Sequence, residues 1–241
     1  NKKGKKTCTA VLITSDKVYK NLEIDKAYKE NDLIGDYDPY SASKASVELL
    51  IQSYVKSFFN KDSSKVRIAT ARAGNVIGGG DWSENRLIPD FVKSWSKKKK
   101  LFIRNPNSTR PWQHVLEVLR GYVLLAENLR KNSNLHGENF NFGPTIKNRY
   151  TVIKLLKYIK VKFPEINWTI KKNYKKFKEA KLLRLNSNKA KKVLKWKCIL
   201  SFQQTMDMTL NWYENYYFKR KNIKEYSAKQ ISDYINIYKK K

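Results

Sequence analysis

Two short segments concentrate the residues able to move protons. Thr14-Ser15-Asp16-Lys17 sets two hydroxyls, a carboxylate and an ammonium in consecutive positions, and Tyr37-Asp38-Pro39-Tyr40-Ser41-Ala42-Ser43-Lys44 sets a phenol and an ammonium one helical turn apart. Pro39 forbids helix behind it and is tolerated in a first turn, so the run from Ser41 to Leu50 can propagate as helix. Tyr40 and Lys44 then share a face. A phenol titrates near pKa ~10 in water, and a neighbouring ammonium favours the phenolate. Tyr40 is therefore a candidate base and Lys44 its tuner.

The spacing alone is not specific, because Tyr150/Lys154, Tyr158/Lys162 and Tyr174/Lys178 repeat it in this lysine-rich chain. Context singles out the first pair. Upstream, Ala10-Val11-Leu12-Ile13 is a short apolar run of the kind that forms a buried parallel strand. It delivers Thr14 to Lys17 at its carboxyl end, where open α/β sheets hold their chemistry. Downstream, Val66 to Ala71 reads as a second such strand and leads into Arg72-Ala73-Gly74-Asn75-Val76-Ile77-Gly78-Gly79-Gly80-Asp81-Trp82.

The elements that must position these groups follow from periodicity. The pattern predicts a loop over 20–38, a helix over 40–59, a helix over 87–97 and a strand over 101–104. Val115, Leu116, Val118, Leu119, Tyr122, Val123 and Leu125 recur at helical spacing within 114–128, and this stripe reads as core. A strand over 139–142, a helix over 151–162 capped by Thr151, a strand over 168–172 and further elements over 187–194 and 201–217 complete the pattern. The stretch 219–241 reads as a basic tail, either a surface helix or disordered. The expected class is α/β.

Taken in order, Thr-Ser-Asp-Lys, Tyr-Asp-Pro-Tyr-Ser-Ala-Ser-Lys, Ala-Arg-Ala-Gly-Asn-Val-Ile-Gly-Gly-Gly-Asp-Trp, Arg86-Leu-Ile-Pro-Asp, Ile103-Arg-Asn-Pro, Thr109-Arg-Pro-Trp-Gln-His-Val and Asn141-Phe-Gly-Pro resemble the extended short-chain dehydrogenase/reductase family. The likeness runs from Ile13 to about Tyr217. Within that family it points to the nucleotide-sugar 4,6-dehydratases that act on CDP-glucose. Lys17 stands where the dTDP- and GDP-sugar dehydratases carry glutamate, and the Gly-Gly-Gly-Asp-Trp segment is long. The resemblance implies the C-terminal part of a Rossmann-like doubly wound parallel sheet plus a smaller α/β substrate-binding lobe. Residues 1–80 would be the half carrying the Tyr/Lys helix. Residues 81–218 would be the nucleotide-sugar lobe, interleaved with a returning helix and strand over about 110–143. Gly35-Asp36-Tyr37 departs from the family pattern, which has a second glycine before the tyrosine.

The resemblance also assigns roles. NAD would be the cofactor, with Thr14, Tyr40, Lys44, Arg72 and Ala73 on its side of the site. Tyr40 would remove the proton from the 4-hydroxyl of glucose while Ser15 hydrogen-bonds the same oxygen. Asp16 would protonate the hydroxyl leaving carbon 6, and Lys17 would lie near the carbon 5 proton. An Asp beside a Lys stays ionised in water, so this role requires burial of Asp16 or a neutral Lys17. Asn75, Arg86, Arg104 and Arg110 would bind substrate, Arg86 and Arg110 through forks suited to a pyrophosphate. Trp82 and Trp112 are the aromatic candidates for the pyrimidine. Relatives pair through the tyrosine helix, which implies a homodimer.

Family members open with a strand, a glycine-rich turn and a helix that holds the cofactor pyrophosphate. Asn1 to Ile13 contains no such unit, and Gly78 to Gly80 lack its strand–turn–helix context. The sequence is therefore expected to be a fragment of a protein about a hundred residues longer.

Composition narrows the alternatives. With 241 residues and 41% hydrophobic content the chain can bury a sizeable core. Its apolar runs are far too short to cross a membrane, no signal peptide is visible, and a cytoplasmic location is expected. Cys8 and Cys198 read as reduced, partly buried thiols, and with only His114 and His136 besides, no metal site is expected. The formal charge of +30 suggests nucleic acid, yet of 51 basic residues only ten are arginine, and the lysines are scattered in runs such as Lys2–Lys6, Lys97–Lys100 and Lys171–Lys178. A lysine-decorated surface explains this without a specific nucleic-acid partner. An epimerase of the same family and a non-catalytic basic module are the competing readings. Asp16-Lys17 argues against the epimerase, which has no departing hydroxyl to protonate.

Overall fold

The computed structural model describes residues 7–59, 65–144, 150–170 and 182–241. The runs Lys2–Lys6 and Lys171–Lys178, the Tyr174/Lys178 pair and the end of the expected 168–172 strand lie outside them. The chain forms two compact units, Asn1–Gly74 with Glu117–Lys147 and Leu183–Cys198, and Asn75–Leu116 with Asn148–Leu182 and Ile199–Lys241.

In the first unit β1 (Cys8–Ile13), β3 (Val66–Ala73) and β8 (Asn139–Phe142) form a parallel sheet in the order β1-β3-β8, with Ile13 opposite Ala71 and Ala73 opposite Phe142. Parallel neighbours need long crossovers, supplied by α1 (Pro39–Tyr54) and α3 (Val115–Lys131), whose first two residues belong to the second unit. Asp38 caps α1, its Oδ1 accepting from Ser41 N at 3.0 Å, and Pro39 occupies the first turn. The bonds from Ser41 hold the Asp38 carboxyl below the usual carboxylate range. The final turn, Val55–Phe59, widens to a π-turn.

Gly121 lets α3 lie on the sheet, because a Cβ there would fall 2.5 Å from Phe142 Cδ1. Leu125, Leu129, Phe140, Phe142 and Trp196 close the core. Residues 183–198 return to this unit as α5 (Asn188–Leu194) packs on β8 and Trp196 meets Phe142 edge-on at 5.1 Å. The expected loop over 20–38 contains β2 (Ala27–Tyr28), which pairs in parallel with β11 (Arg184–Leu185). Two residues per strand are too few for alternation to register in a sequence. His136 is structural, its Nδ1 accepting from Ile68 N at 2.9 Å while Nε2 donates to Phe59 O at 3.0 Å. Cys8 is exposed rather than partly buried, and Cys198 is half-buried with its thiol pushed up by burial.

The second unit contains three two-stranded ladders. β4 (Val76–Ile77) runs parallel to β7 (Gln113–His114), β5 (Leu101–Ile103) parallel to β10 (Trp168–Ile170), and β6 (Thr109–Arg110) antiparallel to β9 (Tyr150–Thr151). Around them α2 (Leu87–Ser96), α4 (Val152–Lys162) and α6 (Phe202–Tyr217) bury Phe91, Trp95, Leu155, Leu156, Met206 and Leu210. Thr151 caps α4 by accepting from Lys154 N at 3.2 Å, and Ser201 and Gln204 form a capping box on α6. The basic tail is helical, α7 (Ile223–Lys239), docked on α6 with Tyr234 against Ile199 and Leu200.

His114 on β7 is 2% exposed; its Nδ1 accepts from Leu116 N at 3.3 Å, and its Nε2 has no partner among the described residues. Burial pushes its pKa from 6.5 down to about 4. On acidification the unfolded chain therefore takes up this proton first. The stabilising effect is fully present above pH 6.5 and is lost as pH falls toward 4. At ~1.4 kcal/mol per unit this amounts to about 3 kcal/mol. Urea unfolding at pH 7 and pH 4.5 should show the loss, and His114→Phe should flatten it.

Candidate active site

The end of β1 is continued by one residue, since Thr14 N donates to Ala71 O at 2.9 Å. Ser15 then caps a 3-10 turn, Asp16–Val18; its Oγ accepts from Lys17 N at 3.2 Å and donates to Asp16 Oδ1 at 3.1 Å. Asp16 is buried and Lys17 half-buried, its charge helping to depress the Asp38 carboxyl at the start of α1. Helix α1 packs against this turn. At its first turns the Tyr40 ring is 53% exposed and the Lys44 ammonium stands 5.5 Å from the ring centroid. The fold thus gathers Thr14, Ser15, Asp16, Lys17, Tyr40 and Lys44 in one unit, with the phenol open to a ligand.

Sequence reasoning missed what lies beneath. Glu48, one turn past Lys44, is 1% exposed and accepts from Thr14 Oγ1 at 2.5 Å. Arg72 on β3, also 1% exposed, forks onto the same carboxylate through Nε at 2.8 and 3.0 Å and through Nη2. Its Nη1 donates to Tyr19 Oη at 2.7 Å and to Glu30 O at 3.0 Å. Tyr19 in turn donates to Asn141 Oδ1 at 2.8 Å, and Asn141 Nδ2 donates to Tyr28 O at 2.9 Å. Burial opposes the Arg72 charge, but Glu48 and Tyr19 outweigh it and hold the guanidinium above its usual range. Burial pushes Tyr19 up to about 12 against the pull of Arg72, so its hydroxyl remains a donor. The Arg72 guanidinium is thus enclosed by protein, which leaves its backbone as the part able to face a cofactor. A helix position four residues past Lys44 and an arginine among the alanines at the end of a buried strand were the signals of this pair. Ala73 closes β3, buried.

The residues expected to bind substrate belong to the second unit. Asn75 is half-buried, its carbonyl accepting from Gln113 N at 3.0 Å. Arg86 precedes α2 with 64% of its side chain exposed and is 3.9 Å from Asp81 Oδ2. Arg104 follows β5, half-buried, where its charge acts on Asp90. Arg110 lies on β6, its Nη1 donating to Thr109 O at 3.0 Å. Trp112 is core, 7% exposed and tilted against Phe202 at 6.4 Å, which removes it as a platform for a base. Trp82 is 39% exposed.

Comparison with known proteins adds context to this geometry. The GDP-mannose 4,6 dehydratase family description matches residues 1–209. CDP-glucose 4,6-dehydratase of Salmonella typhimurium is 38% identical over 231 residues, covering 94% of this chain and 64% of that protein. Among solved structures, dTDP-glucose 4,6-dehydratase from Bacillus anthracis in complex with NAD superposes with a TM-score of 0.69 at 22% identity, over 87% of this chain and 63% of that one. UDP-glucuronic acid 4-epimerase from Bacillus cereus, in complex with UDP-glucuronic acid and NAD, gives 0.73 at 20% identity, over 87% and 62%. The chain spans less than two thirds of the length of these relatives. The likeness establishes the Rossmann-type fold of the dehydratases and epimerases.

Both side chains of the Glu48–Arg72 pair are 2% exposed, so removing one partner strands a charge out of water. Glu48→Leu should cost about 3–5 kcal/mol in urea unfolding. The double variant Glu48→Leu/Arg72→Met should recover part of that loss.

Proposed function

The chain belongs to the GDP-mannose 4,6-dehydratase family, and on that premise we propose that it carries the catalytic face of an NAD-dependent hydro-lyase converting CDP-D-glucose to CDP-4-dehydro-6-deoxy-D-glucose and water. The observation that carries this reading is the packing of α1 on the Asp16–Val18 turn, with Tyr40 half exposed and the Lys44 ammonium beside its ring. The similarity to the Salmonella enzyme supports the choice of nucleotide.

The residues present fit NAD at its reactive end: an open phenol, an adjacent ammonium, and a strand end lined by the backbone of Thr14, Arg72 and Ala73. When bound, NAD supplies a hydride acceptor for carbon 4 of the sugar and later returns the hydride to carbon 6. Tyr40 takes the proton from the 4-hydroxyl, and Lys44 favours the phenolate electrostatically. Ser15, whose Oγ is fixed by accepting from Lys17 N, turns its single hydroxyl proton from Asp16 to the same oxygen. The resulting ketone acidifies the carbon 5 proton, which Lys17 in its neutral amine form would take up, returning it to carbon 5 as hydride reaches carbon 6. Asp16 delivers a proton to the hydroxyl leaving carbon 6, a role that its burial supports. Asn75 orients the sugar. Arg86, Arg104 and Arg110 offer guanidinium groups to the phosphates and base edge, and Trp82 offers an aromatic face.

The product would feed surface polysaccharide assembly, such as the O-antigen of lipopolysaccharide, from the cytoplasm. No helix among the described residues is long and apolar enough to cross a membrane. The working unit is a homodimer. Val47 (45%), Leu50 (58%), Tyr54 (51%) and Phe58 (64%) are exposed at spacings of three and four residues along α1 and its last turn, a stripe that a second copy would cover.

In the protein that contains this chain, Tyr40→Phe should lower keto-sugar release from CDP-glucose by about 10²–10⁴-fold while sugar-nucleotide affinity changes little. Near-normal turnover would overturn the mechanism. Leu50→Glu should convert the dimer to monomer in sedimentation velocity, and an unchanged dimer would move the interface elsewhere.

A further inference from the structure

The family match ends at residue 209, yet α7 beyond it is tied to the glycine loop through a single tryptophan. Trp212 on α6 lies flat beneath Gly79, where any Cβ would fall 2.0 Å from its Cδ2. At the edge of the same ring the indole N–H donates to Ser227 Oγ of α7 at 2.8 Å. Ser227 is itself fixed, donating to Ile223 O at 2.7 Å. Gln230 Nε2 adds a bond from α7 to Met208 O at 2.7 Å. The helix is therefore registered against α6 at several points, and one of them is the ring on which the loop rests.

The loop is gripped along its length by the same surface. Trp82 meets Trp212 edge-on at 5.9 Å and Tyr216 at 5.2 Å, and its Nε1 donates to Tyr217 Oη at 2.9 Å. Between these contacts, Asp81 N donates to Tyr213 Oη at 3.0 Å and Tyr213 Oη donates to Asp81 O at 2.7 Å. Burial pushes the Tyr213 phenol up to about 12, so it keeps the proton this bond needs. The Asp81 carboxylate, 3.9 Å from Arg86, extends the linkage to a guanidinium that is otherwise exposed. A shift of Trp212 would thus move Gly79, Trp82 and Asp81 together, and with them the placement of Arg86.

We propose that α7 is a positioning element for the Gly78–Arg86 segment, acting through Ser227 and Trp212, and that it sets how tightly this segment holds the diphosphate and base of a nucleotide-sugar. The ligand half of this inference rests on the function proposed above; the mechanical half rests on the contacts alone. Neither Ser227 nor Trp212 touches the reacting carbons, so the effect belongs in binding and not in the chemical step.

Two measurements on Ser227→Ala separate the halves, with Ser232→Ala as control because its hydroxyl bonds only within α7, to Ala228 O at 3.1 Å. Hydrogen–deuterium exchange should rise about fivefold in peptides spanning 78–86, the effect of losing one hydrogen bond of about 1 kcal/mol, and should not rise in peptides from α4. Titration with CDP-glucose should show a dissociation constant weakened about threefold to tenfold, with kcat within about twofold of wild type. Unchanged loop exchange, or a rise spread evenly over the whole second unit, would overturn the coupling. A kcat loss with unchanged affinity would overturn the assignment to binding. A wild-type protein that does not bind CDP-glucose would overturn the ligand half, whereas a rise confined to 78–86 would still support the mechanical half.

Discussion

The buried ion pair between Glu48 and Arg72 is the constraint on which the first unit depends. Glu48 belongs to α1, Arg72 to the central strand β3, and Thr14, which shares the carboxylate, to the end of β1. A carboxylate that accepts from all of these fixes the rotation and height of α1 against the sheet. Tyr40 and Lys44 lie two turns and one turn earlier on the same helix, which packs against the Asp16–Val18 turn, so their height on the sheet follows from a bond formed well below them. Replacing the pair with apolar groups would keep a core, but such a core does not select one register as sharply. Specificity of register is the best attested use of buried polar groups.

The network continues outward for the same physical reason. Arg72 carries five N–H donors, and Glu48 cannot accept them all. The remainder reach Tyr19 and the Glu30 carbonyl, and Tyr19 passes its own proton to Asn141 on β8. Every step satisfies a group that would otherwise be stranded away from water. Segments with little regular structure, residues 19–30, are thereby tied to the sheet of the first unit. This also explains the pairing of β2 with β11: Asn141 Nδ2 bonds Tyr28 O and Asn186 O, at the ends of both short strands.

Legibility in the sequence followed the strength of each local signal. Strands β1, β3 and β8 and helices α1, α2, α3, α4 and α6 are long or strongly periodic, and patterning located them to within a few residues. The cap Thr151 marks a start that the sequence alone indicates, and the structure adds Asp38 and Ser201 as caps of the same chemistry. Two-residue strands carry no period, and α7, too polar on average to announce itself, depends on contacts with α6. Within the site, residues next to one another in sequence were readable, whereas partners far apart were not. The family resemblance sets Arg72 on the cofactor side, but only the fold shows that Glu48, 24 residues earlier, turns its guanidinium inward. Trp112 was weighed as a base platform because aromatics suit that role, but Phe202, ninety positions on, claims it for the core.

The separation of the chain into two cores also bears on where substitution is tolerated. The groups assigned to proton transfer stand on β1, its turn and α1, all braced by one buried network that tolerates little change. The groups assigned to recognition stand on the Gly78–Arg86 loop, on the two-residue strand β6 and after the three-residue strand β5, where side chains are mostly exposed or half-buried. Substitution there disturbs few buried polar groups and so costs little stability. The aromatic surface of α6 supplies the missing rigidity, since Gly79 must remain glycine against Trp212, and its neighbours are held too, Gly78 by Val115 Cγ1 at 2.7 Å from a Cβ position and Gly80 by a φ of +83°. If the proposed function holds, a rigid face on the first unit and a glycine-anchored loop on the second would let substitutions in the exposed part of that loop alter recognition while the buried network is left intact.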